Sequence, residues 1–323
     1  MKNNLGLDVI IIGLGSIGLH YDYLKTKYDN ILSHSNSFYK SKKFNLLCGI
    51  DKEKTNRKKF EKKFKLPTFE TLSEIKEKNL KTKIACISVP TNVHKKVFLE
   101  CLNSGISNII IEKPLGKNFS EAKFIKEISK EKNFLVLPNY MRRFNPNLIN
   151  LKKMIQYNKI NHINLNYSGD FRNNSSHLID LSLFFLNQKE YPDEINIFNF
   201  SNKQPSFVLK FNSGISIVVN SIQNVCYEVL EMDLILEDKR IKLIQGGRTT
   251  IIQKAISDKL FKNYKILKNS STEIDNQFHF SQKFVVDYFY NCIKNNKKFD
   301  DSLDDAVKTS WILEEVSKKI VQK

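Results

Sequence analysis

Arginine is scarce in this chain. Only six of its 52 lysine and arginine residues are arginine, although the formal net charge is +18 over 323 residues. Guanidinium forks make the bidentate contacts to phosphates and base edges. The lysines are spread from end to end among asparagines, so the charge reads as compositional bias and a specific nucleic-acid binder is not expected. A diffuse lysine surface still attracts anions weakly, which suits a phosphorylated or nucleotide-linked substrate. Cysteine is sparse too: Cys48, Cys86, Cys101, Cys226 and Cys292 form no C-x-x-C and no cluster with histidine at ligand spacing. Neither a disulfide framework nor a metal site is expected, and Cys48 and Cys86, inside apolar runs, read as small buried hydrophobes. A long apolar run is also missing. Val9 to Leu14 is interrupted by glycine and followed by no small-residue cleavage site, so signal peptide and membrane span are both excluded and a cytoplasmic location is expected.

What is present is ordinary globular composition, 41% hydrophobic and 27% charged, in a chain long enough for two domains. Through residue 138, short β-branched runs alternate with longer amphipathic stretches, the pattern of a parallel sheet with crossover helices. The expected strands are Asp8 to Ile12, Phe44 to Ile50, Ile84 to Val89, Asn108 to Ile111 and Phe134 to Leu137. The expected helices between them are Glu53 to Phe64, Leu72 to Lys78, Val93 to Asn103 and Glu121 to Lys130, with Asn92 and Ser120 as N-caps of the last two and Gly105 as a terminator. After Pro138 the pattern changes. A helix near Leu148 to Tyr157 precedes two hairpins, Phe207 to Phe211 with Ile215 to Val219 and Met232 to Leu236 with Ile241 to Ile244, and helices close the chain at Phe280 to Asn295 and Ser302 to Lys319. The fold class is therefore α/β: a Rossmann-type parallel sheet over residues 1–138, followed by an α+β domain with a mostly antiparallel sheet over 139–323.

Gly13-Leu14-Gly15-Ser16-Ile17-Gly18 follows the first strand directly and leads into a helical pattern running to about Leu24. In that context the first glycine makes a turn, the second admits a pyrophosphate, and the third lets helix and strand pack closely. Free N–H groups at the helix start then face the phosphates. Asp51 ends the second strand, where a carboxylate accepts from ribose hydroxyls and repels a 2′-phosphate, favouring NAD over NADP. The spacing from the glycines is longer than usual by about a dozen residues between Tyr21 and Lys43, including His34. Lys52 and Lys54 leave NADP open, and Asp51 as a simple helix cap is the alternative.

Further along stands VPTNVHKKVFLECLNSGISNIIIEKPLGK, Val89 to Lys117. With the later NYMRRFNP (Asn139 to Pro146) and HLID (His177 to Asp180), in this order after the glycine turn, the chain resembles the family of glucose-fructose oxidoreductase and inositol 2-dehydrogenase, the Gfo/Idh/MocA oxidoreductases. The landmarks span residues 8 to 186, and the last helix is similar as well. The resemblance implies an NAD(P)-dependent oxidoreductase moving a hydride to or from a hydroxyl or ketone of a sugar, cyclitol or nucleotide sugar, in a homodimer or homotetramer with no membrane partner.

Lys113 stands at the carboxyl end of a parallel strand, where open α/β sheets bind ligands, and its ammonium suits an oxygen gaining negative charge. His177 is the proton-transfer candidate because imidazole titrates near neutrality, with Asp180 on the same helical face. Pro90, Thr91, Asn92, His94 and Glu112 join Ser16, Ile17 and the glycines as cofactor contacts, His94 ordering the loop. Tyr140, Arg142, Arg143 and Asn173 are candidate substrate contacts. An inter-domain salt bridge is the alternative for the arginines. Asn173 departs from the family, which commonly has aspartate four residues before this histidine; asparagine hydrogen-bonds a hydroxyl but takes up no proton, leaving Asp170 or Asp180 as substitutes. The rival expectation is a cofactor-binding sensor or scaffold that lost its chemistry.

Overall fold

Successive isoleucines such as Ile109, Ile110 and Ile111 require cover on both faces of a sheet, and all three are fully buried. A computed structural model of the chain describes residues 6–24, 29–78, 80–155, 159–187 and 189–321. It divides by packing into two units, the first holding the described residues through Phe144 with His279–Ser310, the second Asn145–Phe278 with residues from Trp311 onward.

The first unit runs β1 (Leu7–Ile12), α1 (His34–Lys40), β2 (Phe44–Ile50), α2 (Lys54–Phe64), β3 (Thr68–Phe69), α3 (Leu72–Glu77), β4 (Ile84–Ile87), α4 (His94–Asn103), β5 (Asn108–Ile111), α5 (Phe119–Glu131) and β6 (Leu135–Pro138). Its six strands are parallel in the order β3-β2-β1-β4-β5-β6, which reverses direction between β1 and β4 and opens a crevice there. Alternate strand residues feed two apolar layers. Ile10, Ile87 and Ile111 pack with Phe98 of α4 and Ile125 of α5; Val9, Cys86 and Ile110 pack with Phe38 of α1 and Phe60 of α2. Each such side chain contributes about 1.5–3 kcal/mol by leaving water.

The second unit holds α6 (Pro146–Ile155), β7 (Ile160–Tyr167), α7 (Ser176–Leu186), β8 (Glu194–Ser201), β9 (Gln204–Lys210), β10 (Ser216–Ser221), β11 (Leu230–Leu236), β12 (Lys239–Ile244), β13 (Thr249–Ser257), β14 (Lys265–Leu267) and β15 (Thr272–Asp275). The strands form one nine-stranded sheet in which, among the described residues, β7 and β10 are the parallel pair. Both expected hairpins are present. Two helices follow, α8 (Ser281–Lys294) and α9 (Asp301–Val321).

The packing groups α8 with the first unit, where Val285, Val286 and Phe289 join the layer over β1 and β4, and Leu303, Ala306 and Val307 of α9 join the opposite layer. The helix at Phe280 to Asn295 was legible in the sequence, but a helical pattern does not say which sheet it covers. Ile312, Leu313 and Val316, further along α9, belong to the core of the second unit.

Local signals also need correction. Asn118, not Ser120, caps α5, its Oδ1 accepting from Glu121 N at 2.9 Å. Val93 precedes α4 with no side-chain cap, and Asn92 lies in a short 3-10 turn, Thr91–Val93. No α-helix follows the glycine turn directly. A single turn gives way to a 3-10 turn at His20–Asp22, and the helix resumes at α1, where His34 N donates to Ile17 O at 2.9 Å and Ser35 N to Gly18 O at 3.0 Å. Those are the bonds residues 21 and 22 would make in an unbroken helix, so α1 takes up the helical hydrogen-bond pattern that begins at the glycine turn. The buried Asp22 carboxylate fastens the re-entry, accepting from Leu32 N (2.7 Å), Ser33 N (3.0 Å) and Asn36 Nδ2 (3.0 Å).

Candidate functional site

The carboxyl edge of the parallel sheet brings most candidates of the first unit to one level. Beyond the strand ends the ladder continues by one bond each: Gly13 N to Ile50 O (2.8 Å), Ser88 N to Ile12 O (2.7 Å), Glu112 N to Ile87 O (2.9 Å) and Asn139 N to Ile111 O (2.8 Å). The glycine turn, the Val89-Pro90 segment, Glu112-Lys113 and Asn139-Tyr140 therefore leave the sheet side by side.

The three glycines do different things. Gly13 has φ +99°, and a Cβ there would meet Ser88 C and O at 2.5 Å. A Cβ on Gly18 would lie 2.1 Å from Gly13 O. Both are fixed by the protein's own packing. Gly15 has nothing within 4 Å of its Cβ position, so its lack of a side chain is not explained by a protein neighbour. An open face at the middle glycine of a turn on the switch-point edge is what a pyrophosphate needs, and the residues present fit a dinucleotide.

Asp51 follows β2 and is partly exposed. Its Oδ2 accepts from Leu14 N at 2.6 Å and its Oδ1 from Glu53 N at 2.7 Å, so the carboxylate steadies the glycine turn as well as the start of α2. Arg57 reaches the same corner, donating to the carbonyls of Asp51 (2.7 Å) and Lys52 (2.8 Å). His20 was not anticipated there; burial and the neighbouring Lys59 hold its pKa below the ordinary value against the pull of Asn56 and Asp51.

Glu112 is the buried centre of the edge. His34 Nε2 lies 2.7 Å from its Oε1, Asn139 Nδ2 donates to the same oxygen at 2.5 Å, and Oε2 accepts from Lys113 N at 3.2 Å. Asn139 also reaches Gln282 Oε1 of α8 at 3.3 Å. Burial alone would raise the Glu112 carboxyl; the hydrogen bond and charge of His34, the Asn139 bond and the Lys113 charge outweigh it and hold the pKa below the usual carboxylate range. The carboxylate thus fixes the backbone that carries Lys113. The sequence marked His34 only as part of an unusually long spacing, and that spacing was the available signal, since the first residue of α1 is His34, which meets Glu112. His94 is fully buried, with Nε2 2.9 Å from Val89 O and Nδ1 3.1 Å from Pro114 O. Burial lowers its pKa. The ring ties the Val89-Pro90 loop to the Lys113-Pro114 segment, whose peptide bond is cis.

The arginine pair and Tyr140 sit deeper than expected. Arg143 is 4% exposed and its Nη2 donates to Asp305 Oδ2 at 2.6 Å, while the buried Lys308 takes the other oxygen at 3.0 Å. That ion pair lies within the first unit. Arg142 is buried, and Tyr140, 1% exposed, belongs to the apolar layer.

In the second unit the strand β7 ends at Tyr167 and a π-helical turn, Phe171–Ser175, precedes α7. Such turns recur at functional sites. Asp170 caps it, accepting from Asn173 N at 2.6 Å, and Asn173 Nδ2 donates to Asn174 Oδ1 at 3.0 Å. Asn173 is exposed, His177 half-buried, and Asp180 1% exposed. A separate cavity of about 550 Å³, lined in part by Asp8, Thr82 and Ile106, lies at the amino ends of the parallel strands, opposite the glycine turn.

Residues 7–140 match the model of a family described as an oxidoreductase family with an NAD-binding Rossmann fold. An uncharacterised oxidoreductase of Schizosaccharomyces pombe is 30% identical over 80 residues, 25% of this chain and 21% of that protein. The chain thus matches about a fifth of the length of that curated relative. Among solved structures, a dehydrogenase from Clostridium difficile superposes with TM-score 0.73 at 20% identity, covering 98% of this chain and 100% of that one. UDP-N-acetylglucosamine 3-dehydrogenase from Acidithiobacillus ferrooxidans gives 0.73 at 14% identity, covering 97% and 96%. At these identities the likeness establishes the shared fold.

Proposed function

We infer that the chain, whose residues 7–140 match an NAD-binding oxidoreductase family model, is a Gfo/Idh/MocA-type dehydrogenase or reductase acting on a CH–OH group of a sugar, cyclitol or nucleotide sugar. The observation that carries it is the open face at Gly15 on the same sheet edge as Lys113. A nicotinamide dinucleotide, when bound, supplies the hydride donor or acceptor. The glycine turn and its following N–H groups hold the pyrophosphate. The Asp51 carboxylate takes the ribose hydroxyls and disfavours a 2′-phosphate, and Arg57, engaged by two carbonyls, is not aimed at one. NAD is therefore the favoured cofactor.

Lys113 donates a hydrogen bond to the substrate oxygen and stabilises its negative charge, held in place through Glu112. His177 exchanges the hydroxyl proton. With asparagine at 173, no carboxylate at that position assists it. Arg143, committed to Asp305, drops out as a substrate contact. The UDP-sugar dehydrogenase among the structural relatives supports the substrate class, and a cytoplasmic homodimer or homotetramer remains the assembly this reading expects.

The test is a fluorescence titration of NADH and NADPH, followed by absorbance assays with UDP-sugars, inositols and hexuronates. Tighter NADH binding and turnover that Lys113→Ala abolishes are expected. Tight cofactor binding with no turnover on any of them, and no effect of Lys113→Ala, would support a sensor or scaffold instead.

A further inference from the structure

We propose that the hairpin of β13 and β14 is a docking tip for an anionic lipid bilayer, its apolar end entering the surface while its lysines meet the headgroups. From Lys254 to Lys268, five of 15 residues are lysine, against 46 of 323 in the whole chain. The local density is more than twice the compositional background, and all five side chains are exposed. Asp258 is the one acid in the stretch. Its Oδ1 is engaged by the backbone of the turn, accepting from Leu260 N at 2.7 Å and Phe261 N at 3.4 Å.

The apolar side chains at the end of the hairpin are presented to solvent. Leu260 is 84% exposed, Phe261 63% and Tyr264 69%. Asp258 N donates to Tyr264 O at 2.9 Å and Tyr264 N to Phe261 O at 3.3 Å, and the two rings meet edge to face with centroids 6.2 Å apart. The turn therefore holds them in place. Ile256 and Ile266 are direct partners across the strands, so they share a face, and both are exposed. Five large apolar side chains on one exposed hairpin form the kind of patch that marks an interaction site.

The chemistry selects the partner. A second copy of this chain carries the same net charge of +18 and repels the lysines. A nucleic acid supplies negative charge, but Leu260, the most exposed of the five, has no ring to stack on a base. An anionic bilayer suits both halves of the tip. Leucine and phenylalanine enter the boundary between headgroups and acyl chains, tyrosine settles at the headgroup level, and each lysine near the surface strengthens binding about fivefold. Such a tip departs from the expectation of no membrane partner without needing a span: among the described residues no helix is long and apolar enough to cross a membrane. Docking of this kind is independent of the oxidoreductase reading.

The test is flotation of the 323-residue chain with vesicles of equal parts phosphatidylcholine and phosphatidylglycerol, and with phosphatidylcholine alone. Binding to the anionic vesicles only, weakening with salt, is expected. Leu260→Ser with Phe261→Ser keeps every charge and should lower the affinity about tenfold or more. Lys259→Gln with Lys262→Gln and Lys265→Gln should lower it at least as far. Lys42→Gln with Lys62→Gln and Lys294→Gln, three exposed lysines of the first unit, should change it by less than about twofold. Because every exchanged side chain is exposed, thermal melts should match the wild type. Phe261→Trp reads insertion directly, since brominated acyl chains should quench its emission above the Trp311 background. Equal loss in the distant-lysine variant, undiminished binding in the Leu260 and Phe261 variant, or no quenching overturns the bilayer assignment. So does a tip variant that instead alters the sedimentation coefficient of the free protein or its retention on single-stranded RNA, which assigns the tip to a second copy or to nucleic acid.

Discussion

Replacing Gly15 and Gly18 by alanine, one at a time, separates what the protein needs from what a ligand needs. At Gly18 the new methyl would sit 2.1 Å from Gly13 O and 3.0 Å from Ser88 Oγ. The first neighbour is backbone and cannot rotate away, so the turn itself must move. Overpacking of this kind costs about 1–3 kcal/mol, and at roughly 2–4 °C per kcal/mol the midpoint of thermal unfolding should fall by roughly 2–12 °C. At Gly15 the methyl meets nothing within 4 Å and the backbone is not left-handed, so Gly15→Ala should melt like the wild type or slightly higher, because alanine restricts the unfolded chain. Its effect belongs to the ligand. Keeping a phosphate from one charge-assisted N–H contact loses about 1.5–3 kcal/mol, which raises the dissociation constant for NADH roughly ten- to a hundredfold. Circular dichroism melts and NADH fluorescence titrations read the two effects independently. Wild-type NADH affinity in Gly15→Ala would refute the placement of the pyrophosphate, and an unshifted melt in Gly18→Ala would refute the close-packing account of the turn.

Asp300 is 3% exposed; burial raises its carboxyl, but bonds from Lys297, Ser302 and Tyr288 win and hold the pKa down to about 2. A depressed carboxylate contributes stability that is full above the ordinary aspartate value of about 3.9 and lost as pH falls toward 2, here about 2–3 kcal/mol. Asp300→Asn should lose that amount at pH 7 in urea unfolding and flatten the pH dependence between 4 and 2. Truncating Arg143 to alanine removes one of the two cations that hold the buried Asp305 carboxylate and should cost about 3–5 kcal/mol; the double variant Arg143→Met with Asp305→Leu should not recover it, because the buried Lys308 then loses its carboxylate, and full recovery in urea unfolding would show that the Lys308 contact contributes nothing. His94 has its pKa lowered by burial, so acidification below about 6.5 protonates the unfolded chain first and stability falls. His94→Gln should flatten that slope in melts recorded from pH 7 to pH 5, with turnover lowered through the Lys113-Pro114 segment.

The parallel sheet was legible because its signal is local. Five short apolar runs, each bounded by turn residues and alternating with longer amphipathic stretches, read as covered strands; their order in the sheet is set by tertiary packing and was not legible. The edge strand β3 has just two residues, Thr68 and Phe69, too few to carry any period. Much of the second sheet was illegible for a related reason. Strands such as β8, EINIFNFS, expose most of their residues and show little contrast between faces. At the site, the glycine turn and Glu112-Lys113 announced themselves as contiguous motifs. The engagement of Arg143 by Asp305, 162 positions away, has no local trace, and that of Glu112 by His34, 78 positions away, left only the long spacing before Asp51.

His34 shows how an insertion becomes part of a site without disturbing the fold around it. A loop placed inside a helix usually ends it, because the carbonyls it leaves behind lose their partners. Here the chain returns and gives Ile17 and Gly18 new donors from His34 and Ser35, so the helical register is kept while the residue at its restart changes. The re-entry is then fixed twice, by Asp22 below and by Glu112 above. Because Glu112 also accepts from Lys113 N, a change in the position of His34 reaches the lysine through two hydrogen bonds and one carboxylate. The length between Gly18 and Asp51 is therefore a property of the site as much as of the connection.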